Sequence, residues 1–326
     1  MKVTVIGAGA WGTALAKILC DNGHAVTLWG HDAGHVANLQ SARRNERHLP
    51  GCELPTSLAF ATDLTEAVHE AELAVLAVPS VALREVAASI AGFTGTVVSV
   101  TKGIENATGL TMCGIIREVI PDAKVAALSG PTLALETVRG VPTAIVAASN
   151  DDAVSQQVQE VFHRPTFRVY RSTDLLGVEL GGALKNVIAI GAGAIDGLGF
   201  GDNSKAALIT RAIAEIRRLG VACGAQPDTF SGLSGLGDLT VTCFSKLSRN
   251  RTFGERIGRG EDPVELLANA THVVEGYPTA KSAWRLARQH GVETPIIDEV
   301  HALLHEGKPL KQAITDLITR QAKDED

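Results

Sequence analysis

Lys185 places a positive charge in the middle of an apolar stretch, GVELGGALKNVIAIGAGAIDGLG, residues 177–199. Its neighbours at helical spacing are small or aliphatic, and no carboxylate lies three or four residues away to pair with it: Val178, Gly181, Gly182, Ile188, Ala189 and Ala192. Most helical lysines belong to the surface, but this face weakens that interpretation. If burial lowers its pKa from about 10.4 to about 7–8, a lysine can carry a proton near neutral pH. The pattern therefore predicts a lysine on a face that is buried against another part of the chain or against a ligand.

Three glycines near the start of the chain form a G-x-G-x-x-G motif, Gly7-Ala8-Gly9-Ala10-Trp11-Gly12. The motif follows an apolar run and opens a helical pattern, inside a strand–helix–strand unit of about thirty residues. Glycines permit a tight turn and close approach of the backbone to a pyrophosphate, and the helix start offers unpaired N–H groups. This context favours dinucleotide binding over a glycine-rich turn without a ligand.

The residues that would choose between NAD and NADP point both ways. An acidic residue after the second strand suits a ribose 2′-hydroxyl, whereas a basic one suits a 2′-phosphate. His31 and Asp32 are adjacent there, so both types are present. Arg43 and Arg44 could assist with a phosphate or belong to a solvated loop. The cofactor is therefore NAD or NADP.

Three loops follow apolar runs, at residues 78–80, 99–103 and 129–132. Open α/β sheets bind ligands at the carboxyl ends of their strands, which is where these loops are expected. Lys102, followed by glycine, is well placed there to meet an anion, with a solvated surface lysine as the alternative.

A second polar segment, Ser248-Arg249-Asn250-Arg251, combines a guanidinium with hydroxyl and amide groups. Such a set can bind a phosphate, because arginine presents a rigid fork of donors. The alternative is a helix N-cap at Ser248 or Asn250 with exposed arginines. Asp238, among glycines, is either a turn residue or the carboxylate that orients a catalytic lysine.

The elements that position these residues fall into two halves. Six apolar runs in the first half are predicted strands, mostly alternating with helices, which indicates a parallel sheet covered on both faces: 3–6, 25–29, 73–78, 96–101, 125–128 and 143–148. After residue 173 the pattern is helical, with predicted helices at 174–198, 203–223, 264–269, 275–290, 295–306 and 309–319. We therefore predict domains at 1–173 and 174–326, with the long helix after the boundary as hinge or spine. Thr294 is expected to cap the helix that Pro295 begins, and residues 323–326 are expected to fray.

Composition and net charge argue against several classes of function. The chain has 326 residues, 45% hydrophobic and 20% charged, with a net charge of −6 that argues against general affinity for nucleic acid or anionic membranes. Five cysteines without close metal-ligand spacing fit a reduced cytosolic compartment. Lys17 and Leu19 argue against a secretory signal at the start, and no uninterrupted apolar run predicts a membrane span.

The motifs together resemble the NAD(P)-dependent glycerol-3-phosphate dehydrogenases of the bacterial type. The resemblance covers nearly the whole chain, through GAGAWGTALA, VTKGIE, SGPTLALE, GVELGGALKNVIAIGAGAIDGLGFGDNSKAALITRAIAEIRRLG, GLSGLGDLTVTC and SRNRTFGERIGRG. It implies an N-terminal Rossmann doubly wound sheet, an all-helical C-terminal domain, and an active site between them. It also implies reduction of dihydroxyacetone phosphate to sn-glycerol 3-phosphate for phospholipid synthesis, with NAD or NADP and no metal. A homodimer remains open.

By this resemblance Lys185 transfers the proton, with Lys102 and Asp238 in the catalytic cluster. The substrate would contact Lys102, Gly130, Thr132, Lys185, Asn186, Asp238, Ser248, Arg249 and Asn250. The cofactor would contact Gly7, Gly9, Ala10, Trp11, Gly12, His31, Lys102, Ala134, Arg249, Val273 and Glu275. The chain departs from the family pattern where Ala10 replaces a common serine, His31 a common arginine and Leu133 a common phenylalanine.

Two other functions compete with this one. A related two-domain dehydrogenase would act on another hydroxy acid or sugar derivative, against which the Ser-Arg-Asn segment argues. A dinucleotide-sensing regulator would bind cofactor without turnover, against which the intact lysine and aspartate argue.

Overall fold

The computed structural model describes residues 1–270 and 272–321, so the predicted frayed tail lies outside the described residues. The chain divides into two compact units. Unit 1 comprises Met1–Glu105 and Leu110–Glu179, and unit 2 comprises Asn106–Gly109 and the chain from Leu180 onward. Neither unit is one continuous stretch of chain.

Unit 1 is built on an eight-stranded sheet of order β10-β9-β8-β7-β6-β1-β2-β5, with β3 and β4 forming a separate hairpin. Every residue of the central strands β6 and β7 is buried, as in a sheet covered on both faces. The strands are β1 (Lys2–Ile6), β2 (Ala25–Trp29), β3 (Arg44–Asn45), β4 (Leu49–Glu53), β5 (Ala59–Ala61), β6 (Leu73–Leu76), β7 (Thr96–Ser99), β8 (Lys124–Ser129), β9 (Thr143–Ala148) and β10 (Phe167–Ser172). The helices are α1 (Ala10–Asp21), α2 (Ala33–Ala42), α3 (Leu64–Val68), α4 (Leu83–Ala88), α5 (Met112–Val119), α6 (Ala134–Val138) and α7 (Asp152–Phe162).

The Rossmann-type sheet is confirmed, but the prediction of a fully parallel one is wrong at one pair. Strand β9 runs antiparallel to β8, and β10 is parallel to β9. The connection between β8 and β9, residues 130–142, has thirteen residues, of which five form the short helix α6. That is close to the shortest crossover by which parallel strands are joined, which usually carries a longer helix, and here the chain re-enters the sheet from the same edge.

Four strands, β3, β4, β5 and β10, were not predicted. Along β10 only Phe167 and Val169 are fully buried, while Arg168 and Tyr170 are exposed. An edge strand of this kind lacks the continuous apolar run by which the central strands are recognised. Strands β3 and β5 have two and three residues, too few for any period to show.

Unit 2 is helical, as predicted, around the long helix α8 that begins in unit 1. Helix α8 has the length and composition of a membrane span, but 89% of its most apolar window is buried, as in the core helix of a folded domain. The helices are α8 (Leu175–Gly197), α9 (Asp202–Ala222), α10 (Asp238–Phe244), α11 (Arg249–Gly258), α12 (Pro263–Ala268), α13 (Gly276–Gln289), α14 (Pro295–His305) and α15 (Leu310–Ile318). Among them α10 and α11 were not predicted, and the bounds of the others agree within one or two residues.

Glycines let α8 and α11 approach backbone to backbone. A Cβ at Gly193 of α8 would lie 1.9 Å from the Arg251 carbonyl oxygen, and one at Gly254 of α11 would lie 1.9 Å from the Ile190 carbonyl oxygen. The two helices that carry Lys185 and Arg249 are therefore in direct contact, and no larger residue fits at either glycine.

The prediction that the Thr294 hydroxyl caps α14 is wrong. That hydroxyl bonds to the Asp298 carboxylate at 3.0 Å. The first N–H groups of α14, from Ile296 and Ile297, instead donate to the Glu215 carboxylate of α9 at 3.0 and 2.8 Å. Glu215 is buried, and desolvation raises its pKa to about 7.

The short segment Asn106–Gly109 belongs to unit 2 although it lies in the first third of the chain. The Ser282 hydroxyl bonds to the Asn106 side-chain carbonyl at 2.7 Å, and the Arg285 guanidinium donates to the Asn106 backbone carbonyl at 2.8 Å. Both partners lie on α13. We call residues 106–109 the strap, because hydrogen bonds hold this segment against that one helix.

Candidate functional site

The turn between β1 and α1 is shaped by its glycines. Gly7 has a φ of +122°, and a Cβ there would lie 2.4 Å from the Ala77 carbonyl oxygen. A Cβ at Gly12 would lie 1.9 Å from the Gly7 carbonyl oxygen. Both positions therefore require glycine, which explains two of the three glycines in the motif.

The start of α1 has the properties of an anion site. Its N-cap, Gly9, is extended and no side chain caps the helix, so the N–H groups of the first turn remain available to a ligand. Ala10 and Trp11 are its first residues, and the Trp11 ring packs against Phe167 with centroids 6.4 Å apart. The donor set fits a dinucleotide pyrophosphate.

Beyond β2 the two candidate specificity residues have different surroundings. His31 is exposed, whereas Asp32 caps α2 by accepting from His35 N–H at 3.0 Å. That bond lowers the pKa of Asp32, and Arg47 Nη1 lies 3.3 Å from its other oxygen. Asp32 is thus already engaged by a helix and a cation.

The two arginines considered as phosphate ligands have protein partners. Arg43 donates to the Leu58 carbonyl at 2.7 Å and lies over the Phe60 ring. Arg44 pairs with Glu53 at 2.6 Å. Neither is a solvated loop residue without contacts.

The loops after β7 and β8 bring three predicted residues together in unit 1. The Gly130 carbonyl accepts from Lys102 Nζ at 3.1 Å and from the Thr132 hydroxyl at 3.2 Å. Ala134 begins α6, whose N-cap, Leu133, makes no side-chain bond. Lys102 is therefore oriented by the loop that carries the other two.

Lys185 is buried in unit 2 at 6% exposure and is held by two side chains. Its Nζ donates to Asp238 Oδ1 and to Thr242 Oγ1, each at 2.6 Å. A Cβ at Gly181 would lie 2.7 Å from the Ser234 carbonyl oxygen, so this glycine lets the π-helical turn 233–237 and α10 approach α8. Asp238 is the orienting carboxylate of the two alternatives.

Thr242 was not predicted from the sequence. It lies one helical turn after Asp238 on α10, and its hydroxyl is 3.3 Å from Asp238 Oδ1. The four-residue spacing in DLTVT places both on one face, which is the only signal that the sequence offered.

Asn186 and Asn250 form the second half of the unit 2 cluster. Asn250 Nδ2 donates to Asn186 Oδ1 at 2.8 Å, and Asn250 Oδ1 accepts from Gly276 N–H at 2.9 Å. This links the start of α11 to α8 and to the start of α13, where Glu275 is the N-cap and Val273 is exposed.

The segment Ser248 to Arg251 has features of both predicted roles, a helix N-cap and a polar set that can bind phosphate. Ser248 caps α11 by accepting from Arg251 N–H at 3.2 Å. Arg251 is buried and bonds to Asp196 and Glu255. Arg249 keeps an exposed surface and, within residues 1–270 and 272–321, its guanidinium forms no hydrogen bond or ion pair. Surrounding protein nonetheless desolvates its guanidinium, which lowers its pKa, and the Glu275 carboxylate opposes that shift.

The structure thus gathers predicted residues into a glycine turn and a Lys102 cluster in unit 1 and a Lys185 cluster in unit 2. In the described part of the chain, no group of three or more histidine, cysteine or acidic residues could hold a metal ion.

A Rossmann-type sheet with a glycine turn, and a helical unit with a buried lysine, define a dinucleotide-dependent oxidoreductase. Family models described as NAD-dependent glycerol-3-phosphate dehydrogenase match residues 2–155 (N-terminus) and 174–315 (C-terminus). Proteins named glycerol-3-phosphate dehydrogenase [NAD(P)+] from Geobacter sp. (strain M21) and Chlorobium limicola are both 47% identical, over 99% and 100% of this chain and 98% and 99% of theirs. The crystal structure of glycerol-3-phosphate dehydrogenase from Coxiella burnetii matches with a TM-score of 0.93 at 36% identity, over 98% of this chain and 99% of that one. The chain belongs to the NAD(P)-dependent glycerol-3-phosphate dehydrogenase family.

Proposed function

We propose that this protein reduces dihydroxyacetone phosphate to sn-glycerol 3-phosphate in the cytoplasm, for glycerophospholipid synthesis. The observation that supports this most directly is the Lys185 cluster. A buried lysine held by Asp238 and Thr242 adjoins the Asn186–Asn250 pair, and Arg249 presents an exposed guanidinium at the start of the same helix. A proton carrier beside phosphate-binding groups suits a small phosphorylated ketone.

Bound nicotinamide supplies the hydride for this chemistry. Lys185 donates a proton to the oxygen on C2 of the substrate as negative charge develops there, and accepts it in the reverse direction. Asp238 and Thr242 hold Nζ in place, and the Asp238 carboxylate compensates the charge of the protonated amine. Lys102 is assigned to the same reaction as a source of positive potential.

The substrate phosphate is bound by Arg249, assisted by Ser248 and Asn250. Within the described residues the Arg249 guanidinium forms no hydrogen bond, so its donors are available to an incoming phosphate. The hydrogen bonds of Ser248 and Asn250 keep the start of α11 in position, so binding energy from the phosphate can orient C2. Gly130 and Thr132 are assigned to the substrate as well: the Gly130 carbonyl accepts from both Lys102 Nζ and the Thr132 hydroxyl.

The cofactor, NAD or NADP, is assigned to the glycine turn and to residues of both units: Gly7, Gly9, Ala10, Trp11, Gly12, His31, Lys102, Ala134, Arg249, Val273 and Glu275. Support comes from the uncapped start of α1 and from the family to which the chain belongs. The proposed functional division into domains lies near residue 173.

The test is the initial rate of NADPH and NADH oxidation by purified protein with dihydroxyacetone phosphate, with unphosphorylated dihydroxyacetone as control. We expect turnover that requires the phosphate. Arg249→Gln should raise KM for dihydroxyacetone phosphate roughly ten- to a hundredfold, the cost of one or two charged hydrogen bonds. Turnover of an unphosphorylated hydroxy acid would indicate a related dehydrogenase, and cofactor binding without turnover would indicate a regulator.

A further inference from the structure

The glycine turn, Gly7-Ala8-Gly9, has no polar side chain of its own with which to keep its shape. A Cβ at Gly9 would meet nothing within 4 Å, so this part of the turn is open. The start of the turn is held by one backbone bond, from Gly7 N–H to the Trp29 carbonyl at 2.9 Å. A further restraint comes from Asn45, in the β3–β4 hairpin.

Both donors and the acceptor oxygen of the Asn45 amide have partners. Its Nδ2 donates to the Ala8 carbonyl at 3.0 Å and to Thr13 Oγ1 at 2.7 Å, and its Oδ1 accepts from His48 N–H at 3.2 Å. Asn45 and Thr13 are both completely buried. A buried amide whose two donors and acceptor oxygen are all bonded holds its surroundings in one arrangement.

The two groups to which Asn45 donates lie on either side of the anion site. Ala8 is in the glycine turn, and Thr13 is in the first turn of α1, whose N–H groups no side chain caps. One amide therefore spans the junction that would receive the pyrophosphate. An aspartate of the same shape could not replace it, because an ionised carboxylate donates nothing and would face the Ala8 carbonyl with a second acceptor.

We propose that Asn45 is a positioning residue for the dinucleotide, which sets the shape of the pyrophosphate turn without touching the ligand. The proposal rests on the assignment of this turn to the cofactor, and it is independent of the substrate. It predicts that substitution of Asn45 weakens binding of the pyrophosphate. If Asn45 only stabilised the β3–β4 hairpin, the substitution would lower stability and leave binding unchanged.

The experiment measures the Kd of NADPH by fluorescence titration, without substrate, for the native protein and Asn45→Asp. We expect at least a tenfold rise in Kd, with KM for dihydroxyacetone phosphate at saturating NADPH changed less than twofold. Asn22→Asp is the matched control. Asn22 also donates to a backbone carbonyl, that of Val161 at 3.0 Å, but at the opposite end of α1. It should lose stability and leave the Kd of NADPH unchanged.

If Asn45→Asp fails to fold, two variants of Thr13 test the proposal instead. Thr13→Val removes one acceptor of the Asn45 amide while keeping the side-chain shape, and should raise the Kd of NADPH. Thr13→Ser keeps the hydroxyl and should restore it to within about twofold of native.

Inhibition constants identify the part of the ligand that is affected. ADP-ribose carries the pyrophosphate and adenosine does not, so a positioning role weakens inhibition by ADP-ribose only. A native Kd in both Asn45→Asp and Thr13→Val, or equal losses for ADP-ribose and adenosine, would overturn the proposal. Native protein that binds NADPH but does not reduce dihydroxyacetone phosphate would contradict the proposed function and leave this test intact.

Discussion

The carboxylate of Asp196 lies 2.5 Å from the guanidinium of Arg251, and its other oxygen bonds to Lys205. The three residues belong to α8, α11 and α9, and the side chains of Arg251 and Lys205 are less than 10% exposed. One carboxylate thus joins the helix of Lys185 to the helix that begins with Arg249. Arg249 and Arg251, two positions apart, have opposite environments: one is exposed and the other is buried in an ion pair.

Asp196→Asn should destabilise the protein by about 3–5 kcal/mol, because it leaves two buried cations short of a counter-charge. The free energy of unfolding from guanidinium titration measures this. Asp21→Asn is the control, since the pairs of Asp21 with Lys17 and Arg164 involve side chains 25–31% exposed. It should cost about 1 kcal/mol or less. Similar losses for the two variants would contradict a special role for Asp196.

Thr242 should matter for turnover through Lys185. Lys185→Met should reduce kcat by about 10²–10⁴, the usual contribution of a positioned acid or base, without changing the Kd of NADPH. Thr242→Val removes one of the two groups that hold Nζ and should lower kcat roughly tenfold, whereas Thr242→Ser should keep it near native.

The matched control for this series is Thr240→Val on the same helix. The Thr240 hydroxyl is exposed and bonds only locally, to the Leu236 carbonyl at 2.8 Å. Its kcat should be native. If Thr240→Val and Thr242→Val lowered kcat equally, the effect would belong to the helix rather than to the lysine.

Local patterns were sufficient for much of this molecule. The glycine motif, the apolar strands and the long helices follow from period and turn chemistry within a few residues, so their positions agree with the structure. The small residues around Lys185 correctly indicated burial, and Gly181 is small because α10 must approach.

The contacts that could not be predicted join residues far apart in sequence. Thr242 meets Lys185 across 57 positions, and Glu215 caps α14 from 81 positions away. The hydrophobic periodicity of a single helix or strand carries no information about such distant pairs. The antiparallel β8–β9 pair is another such feature: its connection, residues 130–142, carries only one short helix, and the apolar run of β9 does not show the direction in which it pairs.

Arg47 should influence the choice of cofactor. By pairing with Asp32 it offsets a negative charge at the end of β2, where a 2′-phosphate would be repelled. Arg47→Gln should therefore lower the ratio of kcat/KM for NADPH to that for NADH roughly two- to fivefold, as expected for an exposed pair. Arg44→Gln, which breaks the Arg44–Glu53 pair on the same hairpin, should leave the ratio unchanged. An unchanged ratio in Arg47→Gln would remove Arg47 from cofactor selection.

Glu215 should make stability depend on pH. Burial raises its pKa to about 7, above the unfolded value, so the folded state binds more protons than the unfolded chain between about pH 4.5 and 7. Stability is therefore fully present below that window and falls as pH rises through it, by roughly 3 kcal/mol at most.

The measurement compares native protein and Glu215→Gln by guanidinium unfolding at pH 5 and pH 7.5. Glutamine keeps an acceptor for the start of α14 and cannot ionise, so the variant should gain stability relative to native as pH rises. A difference between the two proteins that is the same at both pH values would show that Glu215 titrates normally.

The strap at residues 106–109 limits which gene fragments can be exchanged by recombination. Three chain crossings connect the units, at residues 105/106, 109/110 and 179/180, so neither unit corresponds to one uninterrupted stretch of coding sequence. A gene fragment that encodes only residues after 180 would leave Ser282 and Arg285 without Asn106. Recombination that exchanges the helical unit between relatives must therefore carry two segments or retain a strap that still fits α13. Changes in the strap and changes in α13 must therefore remain compatible with each other during evolution.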